Sequence, residues 1–236
     1  MSNTIDRRRL LGPPNAKPLI FAPLSEKDQQ KTLIDKTKED DIEAQISRTF
    51  IKTGLITNAN GSSFIEVDGN IISVSVYGPR PIRGSFVEKT TLSVHLEDST
   101  DLFSDLLNKK FCNYIENNFL SVINLSKYPK SGIDIFINII SVQDAEKLYL
   151  KTLSLVSDAT TLALVNAGIE IIDLVVSGFD LNNNSVLSFI KTNEIVGLLS
   201  ESEDSLDNLS EVIRKTQKKS AVVKNALTTY LISNSK

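Results

Sequence analysis

Two short runs of residues hinged on Asp68-Gly69 constrain this chain more than any other feature. Ile72, Val74 and Val76 alternate with Ser73 and Ser75, the period of two that a half-buried strand requires. Phe64-Ile-Glu-Val precedes them, and Asp68-Gly69 between the runs is a short-hairpin signal. Residues 50–56 (FIKTGLI) lead in through the turn-rich stretch 58–63 (NANGSS). The prediction is an antiparallel meander of three strands, with residues 90–96 (TTLSVHL) supplying a fourth.

Beyond the meander the spacing changes. Residues 101–125 place Leu102, Leu106, Cys112, Ile115, Phe119 and Val122 near one helical face. A turn over 126–132 leads to a strand at 133–140 (IDIFINII). Residues 147–167 read as a nearly all-apolar, deeply buried helix closed by Gly168. Three short strands follow over 172–178, 185–190 and 195–199. The acidic run 201–207 (ESEDSLD) then opens a last helix, where negative charge suits the helix dipole. That helix reaches about Leu231, with Leu206, Leu209, Ile213, Val223 and Leu227 as its buried stripe. The order ββββαβαβββα is an α+β fold with an antiparallel or mixed sheet. It lacks the strict alternation of a doubly wound fold, and no Walker A loop or strand-led G-x-G-x-x-G is present.

Composition removes whole classes of chemistry. The 236 residues include one His and one Cys, with a net charge of -3. His95 and Cys112 alone cannot build a zinc site, and one Cys cannot form an internal disulfide. No cofactor is expected. The acidic balance offers no electrostatic signal for autonomous nucleic-acid binding. His95 reads as a packed or exposed strand residue, and Cys112 as a small core residue. No run approaches the length of a membrane-spanning helix and the N-terminus does not read as a secretory leader, so cytoplasm or nucleus is the expected location. Pro13, Pro14, Pro18 and Pro23 make residues 1–23 an extended arm. Residues 24–47 are strongly polar and read as a mobile surface insertion. Residues 48–236 are read as one domain.

Four fragments carry a family resemblance: residues 54–67 (GLITNANGSSFIEV), 76–80 (VYGPR), 128–135 (YPKSGIDI) and 162–170 (LALVNAGIE). In this order they resemble the RNase PH family. Residues 6–13 (DRRRLLGP), 16–18 (AKP), 78–86 (GPRPIRGSF) and 124–136 (NLSKYPKSGIDIF) are further similar to one fungal ring subunit of the RNA exosome. The resemblance implies an RNase PH fold (ribosomal protein S5 domain 2-like). It implies a six-membered ring of RNase PH-like subunits around an RNA channel, S1/KH cap proteins, and separately bound 3′ exonucleases. It also implies work in rRNA processing and mRNA turnover in nucleus, nucleolus and cytoplasm.

Active members of that family cleave RNA with inorganic phosphate, which calls for anion-binding groups and a carboxylate at the scissile bond. The resemblance aligns their Asp-x-Gly-Ser/Thr-Arg stretch with 144–148 (DAEKL) or 149–153 (YLKTL), neither of which has the glycine or the arginine. The family's aspartates fall on Ser188 and Ser200, and residues 101–125 carry Lys109 and Lys110 but no Arg. A non-catalytic structural ring subunit is therefore expected. The alternatives are an active phosphate-dependent 3′-5′ exoribonuclease, a different inactive ring subunit, or a stand-alone RNA-binding module. Arg80 and Arg83 after the third strand, and Lys127 and Lys130 around Tyr128-Pro129, are candidates for RNA phosphates or for ring-interface partners. The Tyr128-Pro129 pair is read as turn packing.

Overall fold

The hairpin at Asp68-Gly69 sets the first sheet. In the computed structural model, which describes residues 49–82, 89–143, 145–191, 194–201 and 209–234, Asp68 and Gly69 take φ of 50° and 76°. Both values lie in the left-handed region, as a two-residue type I′ turn demands. The turn joins β2 (Gly61–Val67) to β3 (Asn70–Pro81) with Val67 opposite Asn70. The side chains of residues 145–148 are outside the description. So are the arm read at 1–23, the insertion read at 24–47, Arg83, Leu206 and most of the acidic run.

Around the hairpin lie β1 (Phe50–Thr53), β4 (Thr91–Asp98) and β5 (Ser131–Ser141), giving a five-stranded sheet of order β1-β2-β3-β5-β4. The sheet is mixed, because β4 runs parallel to β5 and returns through α1 (Asp105–Leu120). α2 (Ala145–Asn166) follows, then β6 (Val176–Asp180), β7 (Ser185–Ile190) and β8 (Glu194–Ser200) as a second antiparallel sheet, and α3 (Leu209–Asn234). The described elements thus run in the expected order. β6 starts four residues later than the apolar run at 172 suggests.

α2 lies between the sheets, packed on β2 and β3 on one side and on β6 and β7 on the other. Leu150, Leu153, Val156, Leu162 and Leu164 are fully buried, each worth about 1.5–3 kcal/mol of burial. The helix also buries small polar groups, which tie it to both sheets. Ser63 Oγ donates to the Ala159 carbonyl at 2.6 Å. On the other side Ser154 Oγ reaches the Ser177 carbonyl at 2.9 Å, and Thr161 Oγ1 the Val175 carbonyl at 2.6 Å. Gly168, at φ 70°, closes the helix through its N–H on the Val165 carbonyl at 3.0 Å.

α1 corrects the expected stripe. Its buried residues are Phe111, Tyr114, Ile115, Asn118 and Phe119, at the 3–4 spacing of one face. Leu107, not Leu106, continues that face and packs on the core. Leu106 is 68% exposed, Leu102 precedes the helix and is also exposed, and Cys112 is half-buried on the flank. The helix starts at Ser104, whose Oγ accepts from the Leu107 N–H at 3.4 Å. On α3 the buried positions are Val212, Thr216, Ser220 and Leu227, while Ile213 and Val223 are half-buried. Thr216 and Ser220 hide because they satisfy their hydroxyls on the helix's own carbonyls.

Candidate functional site

The positions at which the family resemblance requires catalytic groups can now be followed one by one. Ser188 lies on β7 opposite Gly197 of β8 and is fully buried. Its Oγ is 2.8 Å from the Tyr114 hydroxyl and 2.6 Å from Ser177 Oγ, and it accepts from Asn118 Nδ2 at 3.1 Å. β8 comes this close to α1 because Gly197 has no side chain. A Cβ there would fall 1.9 Å from Asn118 Oδ1. Burial pushes the Tyr114 hydroxyl up to about 12, so it remains neutral. The Ser177 N–H donates to Asp158 Oδ1 at 2.9 Å, and burial raises the Asp158 carboxyl well above its ordinary range. Ser188 is therefore a core hydroxyl with no route to an RNA phosphate.

Ser200, at the exposed end of β8, accepts from Ser185 Oγ at 3.1 Å. The next residue, Glu201, brings the first helix and the start of the second together. Its carboxylate pairs with Lys110 Nζ at 3.2 Å and accepts a hydrogen bond from the Tyr149 hydroxyl. The Tyr149 hydrogen bond, then Lys110, hold the Glu201 carboxyl below its ordinary range against partial burial. Burial and the adjacent carboxylate push the Tyr149 hydroxyl up. The remainder of residues 149–153 is committed elsewhere. Leu150, Thr152 and Leu153 are fully buried, and Lys151 bonds Asp68 at 2.8 Å. This surface holds an anion already paired to Lys110. No group of three or more His, Cys, Asp or Glu able to hold a metal occurs among the described residues.

The three described basic candidates, Arg80, Lys127 and Lys130, do not form one cluster. Arg80 is exposed at the end of β3, its guanidinium 4.8 Å from the centre of the Tyr77 ring. Lys130 lies at the same end of the sheet, its carbonyl accepting from the Ile82 N–H at 3.0 Å. Lys127 points away, on a 3-10 turn (Leu125–Lys127), in an ion pair with Glu170. That bond holds Glu170 below its ordinary range. Arg83 lies outside the described residues. The Tyr128 hydroxyl accepts from the Glu170 N–H at 3.1 Å while its ring packs on the core, so it is a turn residue as read.

The alternation in β3, β4 and β5 held a further signal. Tyr77, His95 and Phe136 all project from the outer face, and their rings meet there. Counting outward positions across the three strands was enough to find them once the pairing was known.

The two-sheet fold around α2, with its family positions now located, can be set beside known proteins. The family described as "3' exoribonuclease family, domain 1" matches residues 45–170, just over half of the chain, and the chain belongs to that family. It is similar to the Exosome complex component mtr3 of Schizosaccharomyces pombe, 28% identical over 187 residues, covering 75% of this chain and 68% of that protein. It is similar also to Exosome complex component MTR3 of Chaetomium thermophilum, 28% identical over 201 residues, covering 73% of this chain and 69% of that one. Among solved structures, the Archaeoglobus fulgidus exosome with RNA bound to the active site shares the fold, with a TM-score of 0.60 at 13% identity over 83% of this chain and 99% of that one. The RNase PH fold expected from the four fragments is the fold observed.

Proposed function

We propose that this chain is a non-catalytic ring subunit of an exosome, assembling with other RNase PH-like subunits around a channel for RNA. Its relatives from two fungi are named exosome components. The observation that supports the non-catalytic half is the Glu201 carboxylate, which stands against the stretch 149–153 in a hydrogen bond with Tyr149 and a 3.2 Å pair with Lys110. An ionised carboxylate there repels phosphate. A buried Ser188 and a hydroxyl at Ser200 can neither manage a proton at neutral pH nor bind a metal. The subunit then contributes surface and channel wall to rRNA processing and mRNA turnover, while cap proteins of S1/KH type and separate 3′ exonucleases supply entry and cleavage. Nucleus, nucleolus and cytoplasm are the compartments that go with this role.

Two measurements test it. The purified chain incubated with oligoadenylate and inorganic phosphate releases no nucleoside diphosphate; phosphate-dependent release that tracks the protein through purification defeats the non-catalytic reading. The tagged chain expressed in its host co-purifies with other RNase PH-like subunits; recovery without them defeats the ring reading.

A further inference from the structure

We infer that the outer face of the five-stranded sheet is a stacking platform for unpaired RNA bases, built by His95, Phe136, Tyr77 and Arg80. The two helices α1 and α2 pack on the inner face, and among the described elements none packs on the outward positions of β3, β5 and β4. Phe136 is 45% exposed there. His95 and Phe136 are register partners on β4 and β5. Their rings stack with centres 4.9 Å apart and planes 22° from parallel. The Tyr77 ring meets Phe136 edge-on at 5.6 Å, and the Arg80 guanidinium lies over Tyr77 at 4.8 Å. One row of π faces thus crosses three strands and ends in a cation. It borders a groove of about 670 Å³, to which Ser73, Ser75 and Asn138 also contribute.

The chemistry of the groove selects the occupant. A protein-docking patch centres on close-packed apolar side chains inside a polar rim. Here aromatic and imidazole faces stand beside Ile56, two hydroxyls and one amide, with a guanidinium at one end. Single-stranded nucleic acid uses this combination: bases stack on sheet aromatics, polar side chains meet base edges, and an arginine meets phosphate. Glu97 also lines the groove. Its carboxylate repels phosphate, so the phosphates run on the Arg80 side and the bases lie toward Glu97. The inference rests on the RNA-channel reading above for its choice of ligand.

The test uses the full chain and a fluorescein-labelled decauridylate, with fluorescence anisotropy as the readout. Phe136→Ala weakens binding about fivefold or more, the loss expected for one stacked base, and Phe136→Trp restores it. An abasic oligonucleotide with the same phosphates binds both proteins alike. Arg80→Ala weakens both oligonucleotides and flattens the salt dependence. Thermal unfolding of the Ala variants matches the parent, since these side chains are on the surface. The proposal is overturned if the parent does not bind decauridylate, or if Phe136→Ala binds it unchanged. It is also overturned if the substitution abolishes co-purification with other subunits while RNA binding persists, which makes the face a protein interface. Decauridylate binding that depends on Phe136 in a chain that never joins a ring keeps the platform and defeats the ring reading instead.

Discussion

Tyr149 donates its hydroxyl hydrogen bond to the Glu201 carboxylate, fastening the first turns of α2 to the end of β8. Lys110 of α1 completes the clasp from the other side at 3.2 Å. Three separate chain segments are joined there.

The clasp gives the fold an acid-sensitive component. Because the Glu201 carboxyl sits below its ordinary value of 4.5 in the folded chain, its stabilisation is fully present above that value and is lost as pH falls through the depressed one. Glu201→Gln therefore lowers Tm at neutral pH and converges with the parent in acid. The neutral-pH loss is at most about 1 kcal/mol, since water screens a carboxylate that is a third exposed. Paired unfolding scans from neutral pH into acid measure it; a constant gap across that range contradicts the argument.

Asp158 works in the opposite sense. Burial raises its folded value, so the folded chain holds a proton that the unfolded chain releases, and stability falls as pH rises above the ordinary carboxylate value. Asp158→Asn keeps an oxygen for the Ser177 N–H. The variant gains on the parent with rising pH, and the Tm difference between them widens as pH climbs above the ordinary carboxylate value of 3.8. A difference that stays flat or shrinks over that climb counts against a buried protonated carboxyl.

At Gly178 the helix α3 lies directly on β6. A Cβ there would meet the Thr216 carbonyl oxygen at 2.3 Å, backbone against backbone. Gly178→Ala has no flexible side chain to displace, so it costs about 1–3 kcal/mol and lowers Tm by several degrees. An unchanged Tm would mean that α3 packs elsewhere.

Ser157 presents a gain rather than a loss. Its Oγ is buried with no hydrogen-bond partner among the described residues, and an unsatisfied buried hydroxyl is destabilising. Ser157→Ala is expected to raise stability by up to about 1 kcal/mol, or about 2–4 °C in Tm for a chain of this size. Destabilisation by the same substitution refutes the reading.

Much of the fold was legible where local chemistry agrees with tertiary packing. The Asp68-Gly69 turn, the alternation after it and the cap at Gly168 each express a backbone requirement that the residues state directly. α1 was misread because six apolar positions were fitted to one face without knowing which lay against the sheet; Leu107 and Leu106 are neighbours in sequence, yet only packing decides between them. The buried stripe of α3 was read correctly at Leu227 and incompletely elsewhere for a related reason: Thr216 and Ser220 look solvent-facing until their hydroxyls are seen to close on their own helix. At the site, the absence of carboxylates at positions 188 and 200 was readable from the family resemblance. The clasp was not, because Lys110, Tyr149 and Glu201 are far apart in sequence and no spacing rule links them. The same holds for His95 and Phe136, which meet only through the parallel pairing of β4 with β5.

The family match stops at residue 170, four residues past the end of α2. Yet Ser154, Asp158 and Thr161 have their partners beyond it, at Val175 and Ser177. A fragment cut at that boundary would carry a helix stripped of its second cover, with a buried acid and two hydroxyls turned to water. The matched region is a recognisable half rather than a transplantable module. Grafts, chimaeras and truncations of this chain must carry β6, β7 and α3 along with it.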